Sequence, residues 1–340
     1  MIYKNVQLHN VEELIGEPGK QGVLLQRIPE SVRQNLRPAT MQEYRRASGV
    51  EIRFVSDWEP VKITLASYQK ESKVYLFFGD FQAGEYTIGR EPTEIEIPVP
   101  RFLSRPDFIL NKYNFHPSVR RILLSGSEVH LISIEGSGIR PPEKNEIPSI
   151  KYMAYGTSIT HGAAATNPAL SFVKQVAWRL GADVNNYGAS GAAFCEKELA
   201  DFLADKKDWD FATLCVSVNM FNQGVPVEEF VKKAGYMVNK VAVQNPGKPV
   251  VCIGMFPFFM DVNDKLRWPE RYPVCTPEEY RNALKNIVEE ANLDNLYYID
   301  GRKLLKDYNL LSHDVLHPGD YGMIQIAENL AAFMKPLLKK

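Results

Sequence analysis

The chemistry in this chain is concentrated in one serine near the middle and an aspartate–histidine pair near the end. Ser158 stands in Gly156-Thr157-Ser158-Ile159-Thr160, directly after the apolar-rich run from Ile150 to Tyr155. A serine hydroxyl attacks an acyl carbon only when a base takes its proton. The candidate base lies in His313-Asp314-Val315-Leu316-His317-Pro318. In a turn that enters a helix, the spacing of Asp314 and His317 lets the carboxylate accept from one imidazole nitrogen and leaves the other facing the serine. Pro318 pre-sets the backbone at that helix start. Ser158, Asp314 and His317 thus read as nucleophile, orienting acid and general base.

Acyl transfer also needs donors for the oxyanion of the tetrahedral intermediate. Gly191, in Asn186-Tyr187-Gly188-Ala189-Ser190-Gly191, offers a backbone N–H in a turn that only glycine enters freely. Asn219, in Ser217-Val218-Asn219-Met220, offers a side-chain amide. The backbone N–H of Ser158 is the third.

Two rivals are weighed against this set. Gly188-Ala189-Ser190-Gly191-Ala192 nearly matches the Gly-x-Ser-x-Gly elbow and would make Ser190 the nucleophile of an α/β-hydrolase. That fold draws its acid and histidine from separate strand ends, not from one tetrapeptide. His161 follows Ser158 by three residues and reads better as a polar contact at the pocket mouth than as the base. Neither a histidine–carboxylate cluster with metal spacing nor a phosphate-binding glycine loop is found, so no metal and no cofactor are expected. The apolar run Met255 to Met260 supplies core and a candidate pocket lining.

The elements that must position these residues follow from periodicity. Apolar strands near 150–155, 184–187, 211–218, 250–256 and 296–299 alternate with helices near 168–180, 196–204, 226–243, 276 onward and 321–334. Strand–helix alternation predicts a parallel five-stranded sheet covered on both faces, with chemistry at the carboxyl ends of its strands. Ser158, Gly191 and Asn219 all follow such ends. The preceding half differs. Runs such as Val50–Val55, Val61–Leu65, Lys73–Phe78, Glu94–Val99, Arg121–Leu124 and Val129–Ile134 alternate with period two, which predicts an all-β sandwich with one face in a core and one in water. Gly136 to Asn145 is rich in glycine, proline and charge. The expected division is a sandwich over 1–138, a linker over 139–149 and an α/β domain over 150–340.

Bulk properties exclude other classes. The net charge is −1, with 45% hydrophobic and 24% charged residues, so nothing favours a nucleic-acid or membrane partner. A homo-oligomer stays open. Four scattered cysteines argue against a disulfide framework, and the N-terminus lacks a secretory pattern, so a cytoplasmic protein is expected.

Taken together, Gly-x-Ser, Ser-Gly, Asn and Asp-x-x-His-Pro, in this order and each after a strand, resemble the blocks of the SGNH, or GDSL-type, hydrolases. The resemblance spans Ile150 to the end and implies a flavodoxin-like three-layer fold. It carries the catalytic roles to Ser158, Asp314 and His317 and the oxyanion roles to Ser158, Gly191 and Asn219. With a sandwich (jelly-roll-like) in front, the chain is similar to carbohydrate esterases and natural-product esterases of that architecture. The implied function is a serine esterase that removes a small acyl group, acetyl above all, from a carbohydrate or other polyhydroxyl compound. A thioesterase or lipase-like acylhydrolase is the runner-up. A carbohydrate-binding protein with a vestigial esterase domain is the alternative of another class. Thr157 stands where the family has Asp, and Met220 where it has a second Asp, which bears on substrate choice.

Overall fold

The alternating runs of the first half pair into two antiparallel sheets in the computed structural model, which describes residues 1–268 and 270–339. One sheet has the order β1 (Ile2–Tyr3), β2 (Val6–His9), β5 (Glu51–Phe54), β10 (Arg120–Leu124), β7 (Ser72–Phe78), β8 (Phe81–Ile88). The other runs β3 (Glu13–Ile15), β4 (Val23–Gln26), β11 (His130–Glu135), β6 (Val61–Ala66), β9 (Thr93–Ile97). Register sets the core. Leu8, Ile52, Ile122 and Leu76 lie opposite one another across four strands, and Ile95, Ile63 and Ile134 do so across three of the second sheet. These rows join one apolar cluster.

The outward face of the first sheet departs from expectation. The alternation of Glu51, Arg53 and Arg121 with apolar neighbours was expected to put them in water, yet they are 0%, 0% and 9% exposed. Buried charge persists only when paired. Arg53 donates to Glu51 at 2.7 Å and, through both terminal nitrogens, to Asp183 at 2.7 and 2.8 Å. Arg121 donates to both oxygens of Glu51 at 2.8 Å. Two strand groups, β1–β4 and β8, also went unread in the sequence.

The second half forms a parallel sheet of β12 (Ile150–Gly156), β13 (Ala182–Gly188), β14 (Phe211–Cys215), β15 (Val250–Ile253) and β16 (Leu296–Ile299), in the order β13-β12-β14-β15-β16. That is the 2-1-3-4-5 order of flavodoxin-like sheets. Helices α5 (Lys197–Asp205), α7 (Val227–Gln244) and α9 (Pro277–Ala291) pack in one row, and α4 (Phe172–Leu180) packs with α11 (Asp320–Met334). Short helices α3 (Ser158–His161), α6 (Val218–Asn222), α8 (Phe259–Val262) and α10 (Gly301–Leu304) sit in the connections. The runs read as strands to Val218 and Phe256 end earlier, at Cys215 and Ile253; the first passes through Val216 and Ser217 into α6 and the second continues as buried loop.

The chain groups into two compact units: residues 1–30, 44–149 and 181–185, and residues 31–43, 150–180 and 186–340. The segment read as a linker is folded within the first unit, where Val55 and Arg140 exchange both backbone hydrogen bonds at 2.9 Å. Of the first two helices, α1 (Glu30–Arg33) crosses the boundary between units and α2 (Pro38–Glu43) belongs to the second.

Candidate active site

Two close approaches build the turn that presents Ser158. A Cβ on Gly156 would collide with Thr160 Oγ1 and the Cys215 carbonyl, so β12 can end there only on glycine. A Cβ on Gly188 would collide with the His161 backbone, so the end of β13 meets α3 only on glycine too. Thr157 is fully buried and its hydroxyl accepts from the Ile159 N–H at 3.4 Å, capping α3. Asn186 then links the elements. Its Nδ2 donates to the Thr160 carbonyl at 2.9 Å, and its Oδ1 accepts from Gly188 N at 2.8 Å. Met220, at the second departure from the family pattern, is fully buried.

Ser158, His317 and Asp314 come together as one hydrogen-bonded chain. The distance from Ser158 Oγ to His317 Nε2 is 2.8 Å, and His317 Nδ1 lies 2.6 Å from Asp314 Oδ2. An ionised carboxylate only accepts, so Nδ1 carries the proton and Nε2 is left to accept from the serine. The other Asp314 oxygen, Oδ1, accepts from Ser312 Oγ at 2.8 Å and from the backbone N–H groups of Leu316 and His317 at 2.9 Å. Partial burial works to raise the Asp314 carboxyl. The hydrogen bonds from His317, Leu316 and Ser312 outweigh it and lower the pKa to about 2.

Gly191, in the loop after β13, and Asn219, in α6 after β14, lie at the same carboxyl edge. Gly191 has φ +68°, a left-handed conformation, and is exposed. Asn219 Oδ1 accepts from Ala193 N at 3.1 Å, which fixes the amide with Nδ2 free to donate. Ala189 N donates to the Gly156 carbonyl at 2.8 Å and ties the Gly191 loop to the strand that ends at the nucleophile turn. Among the described residues, nothing accepts from the N–H of Ser158, the N–H of Gly191 or Asn219 Nδ2. Ser158, Gly191 and Asn219 thus each keep a donor uncommitted at the carboxyl edge of the sheet.

The rival nucleophile is not on the histidine. Ser190 gives its backbone N–H to Glu43 Oε2 at 3.1 Å, while His317 faces Ser158. His161 lies with Nδ1 3.6 Å from the same Glu43 oxygen, which makes it a polar contact beside the turn. Glu43 itself had no signal in the sequence, because it reaches the site from far upstream. The same holds for Trp268, whose ring stands edge-on to His317 with centroids 6.4 Å apart. Met255, Phe256, Phe258, Phe259 and Met260 are all buried. A small, partly open cavity of about 10 Å³ is bounded by Ile159, Cys215, Ser217, Val218, Met255, Phe256, Phe258 and Leu316. Ile159, Val218 and Leu316 are chain neighbours of Ser158, Asn219 and His317. Among the described residues no group of histidine, cysteine and carboxylate side chains is arranged to hold a metal, and no helix is long and apolar enough to cross a membrane.

Comparison with known proteins bears on the family and the fold. The model of the GDSL-like lipase/acylhydrolase family matches residues 150–335. No curated protein matches the sequence. Among solved structures, a salicylyl-acyltransferase from a tetracycline biosynthetic pathway superposes with a TM-score of 0.79 at 15% identity, covering 98% of this chain and 96% of that one. A candidate GDSL-like lipase from Bacteroides ovatus gives 0.68 at 21% identity, covering 98% of both. A family two carbohydrate esterase from Clostridium thermocellum gives 0.62 at 14%, covering 85% and 92%. At these identities the likeness concerns the fold.

Proposed function

The chain belongs to the GDSL-like lipase/acylhydrolase family, and from that premise we propose that Ser158, His317 and Asp314 are the catalytic triad of a serine esterase acting on small acyl esters. The reading is carried by the continuous hydrogen-bonded chain from Ser158 Oγ through His317 to Asp314. Ser158 Oγ attacks the ester carbonyl while His317 Nε2 takes its proton. Asp314 holds the imidazole in the Nδ1–H tautomer and stabilises the imidazolium that forms. The N–H groups of Ser158 and Gly191 and the Asn219 amide donate to the oxyanion, each worth about 2.7–4 kcal/mol in the transition state. His317 returns the proton to the leaving alcohol oxygen. Water, deprotonated by His317, then attacks the acyl-enzyme and releases the acid with Ser158 restored.

The cavity beside the site supports an acetyl-sized acyl group. A volume of about 10 Å³ is near the roughly 10–15 Å³ that a single water needs on this scale. That speaks against a lipase-like preference for long chains. An intact serine–histidine–aspartate chain speaks against a vestigial domain. The carbohydrate or polyhydroxyl alcohol rests on analogy with solved structures of the same fold, one of them a carbohydrate esterase. The cytoplasm is the compartment in this reading. Cys195, Cys215 and Cys252 are buried and free, and burial pushes the Cys215 thiol up to about 12.

The test is hydrolysis of p-nitrophenyl acetate. Ser158→Ala is expected to abolish turnover with thermal stability retained, and Ser190→Ala to keep it. Activity surviving in Ser158→Ala but lost in Ser190→Ala would overturn the assignment.

A further inference from the structure

We propose that Glu43 is a positioning residue for this reaction, holding the loop that carries Gly191 against the helix that carries Ser158; the inference rests on the triad and oxyanion roles given above. Residues 31–43 lie deep in the N-terminal half of the sequence but group with the catalytic unit. Glu43, the last residue of α2, is 6% exposed. One of its oxygens, Oε2, accepts from the Ser190 N–H at 3.1 Å and lies 3.6 Å from His161 Nδ1. Ser190 precedes Gly191. His161 is the last residue of α3, the helix that begins with Ser158. A single carboxylate oxygen therefore spans the donor loop and the nucleophile helix.

The rest of α2 and its approach grip the same loop. Thr40 Oγ1 donates to the Ala192 carbonyl at 3.3 Å. The Arg37 guanidinium stacks over Phe194 with 3.7 Å to the ring centroid, and Arg37 N donates to Glu196 Oε1 at 2.7 Å. Contacts thus fall on residues 190, 192, 194 and 196, every second residue past the turn. Gly191 needs this support. A glycine at φ +68° with no atom within 4 Å of where a Cβ would be has nothing of its own to fix its peptide planes. It is anchored from both sides instead, by Ser190 N on Glu43 and by the Gly191 carbonyl, which accepts from Gln223 Nε2 at 2.8 Å. These anchors aim the Gly191 N–H. A site must be held within about 0.5 Å of its productive geometry, and a displacement of about 1 Å costs on the order of 100-fold in rate.

The experiment compares Glu43→Ala, Glu43→Asp and Glu43→Gln in the full chain, with kcat and KM for p-nitrophenyl acetate measured separately and thermal unfolding followed in parallel. Glu43→Ala is expected to lower kcat by about 10- to 100-fold with KM changed less than about threefold. Glu43→Asp keeps the charge but withdraws the acceptor by one methylene, and is expected to lose about tenfold in kcat while folding normally. Glu43→Gln still presents an oxygen to Ser190 N and is expected to retain kcat within about threefold. If Glu43→Ala fails to fold, the contrast between Glu43→Asp and Glu43→Gln decides. Equal kcat in those two, or an effect on KM alone, overturns the proposal. An inactive wild-type enzyme would sink the esterase reading instead, so the two failures are distinguishable.

Discussion

Phe259 donates its backbone N–H to the Val315 carbonyl at 2.8 Å, joining the loop that leaves β15 to the loop that holds Asp314 and His317. Val315 is β-branched yet sits at φ +53°, a left-handed conformation that costs of order 1–3 kcal/mol and persists only where surroundings impose it. The surroundings here are the Phe259 bond on one side and the Val315 N–H to Ser312 carbonyl bond, 2.9 Å, on the other. The strained residue lies between Asp314 and His317, so the loop after β15 helps to set their geometry.

That loop has its own anchor, which makes Arg281 a stability residue with a catalytic consequence. Arg281 is 2% exposed. It donates to both Asp261 oxygens at 2.6 Å and to the carbonyls of Met255 at 3.1 Å and Phe256 at 3.3 Å. Removing one partner of a buried pair leaves the other charge uncompensated, at a cost of about 3–5 kcal/mol. Arg281→Ala is expected to lose stability of that size in urea unfolding and to lower kcat in the fraction that stays folded. A loss below about 1 kcal/mol would mean that the pair behaves as a solvent-screened surface contact.

The pH dependence of stability carries a definite sign at Asp314. Its folded pKa, about 2, lies below the ordinary 3.8. The unfolded state therefore binds the proton more readily. The stabilisation from Asp314 is fully present above the ordinary value and is lost as pH falls from 3.8 to about 2. At neutral pH the group is anionic throughout. Asp314→Asn is expected to cut turnover by roughly 10³–10⁴-fold, the scale on which loss of the orienting carboxylate acts in such triads. It should also flatten the acid limb of the unfolding curve relative to the wild type. Unchanged turnover in Asp314→Asn would reduce the residue to a cap on the His317 loop.

The difference between what could and could not be read from the sequence is physical. β14 was legible because a strand buried on both faces must be apolar throughout, and the start of α9 because Thr276 and Glu279 cap each other reciprocally. The same rule misplaced the end of β14, since Val216 and Val218 are equally buried outside it. β8 reads Phe-Gln-Ala-Gly-Glu-Tyr-Thr-Ile and has only Ile88 buried, so it offers no apolar face to detect. Ser158, Gly191 and Asn219 could be picked out because each lies shortly after a strand, and Asp314 and His317 because they share one short block. Glu43 was not, because its partners Ser190 and His161 are joined to it only by the fold. Arg53 and Arg121 look like solvated positions in an alternating strand until Glu51 and Asp183 are seen beside them.

The cavity sets the last expectation, on acyl length. Its walls are buried side chains: Ile159 is 2% exposed, Phe256 3%, Phe258 1% and Val218 6%. A volume of about 10 Å³ is close to the roughly 10–15 Å³ that one water needs on this scale, so a longer acyl chain is expected to require a wall to move. Forcing extra methylenes into a packed interior costs about 1–3 kcal/mol, which corresponds to roughly 5- to 150-fold in kcat/KM. p-Nitrophenyl acetate should therefore be preferred over the butyrate by a factor in that range, and longer acyl esters should be worse still. Val218→Ala removes wall without touching the hydrogen-bonded chain from Ser158 to Asp314. It is expected to narrow the acetate-to-butyrate ratio mainly by raising activity on butyrate. The measurement is kcat/KM over an acyl series from acetate to octanoate for both proteins. A wild-type enzyme that cleaves octanoate as fast as acetate would place the acyl group elsewhere than in this cavity.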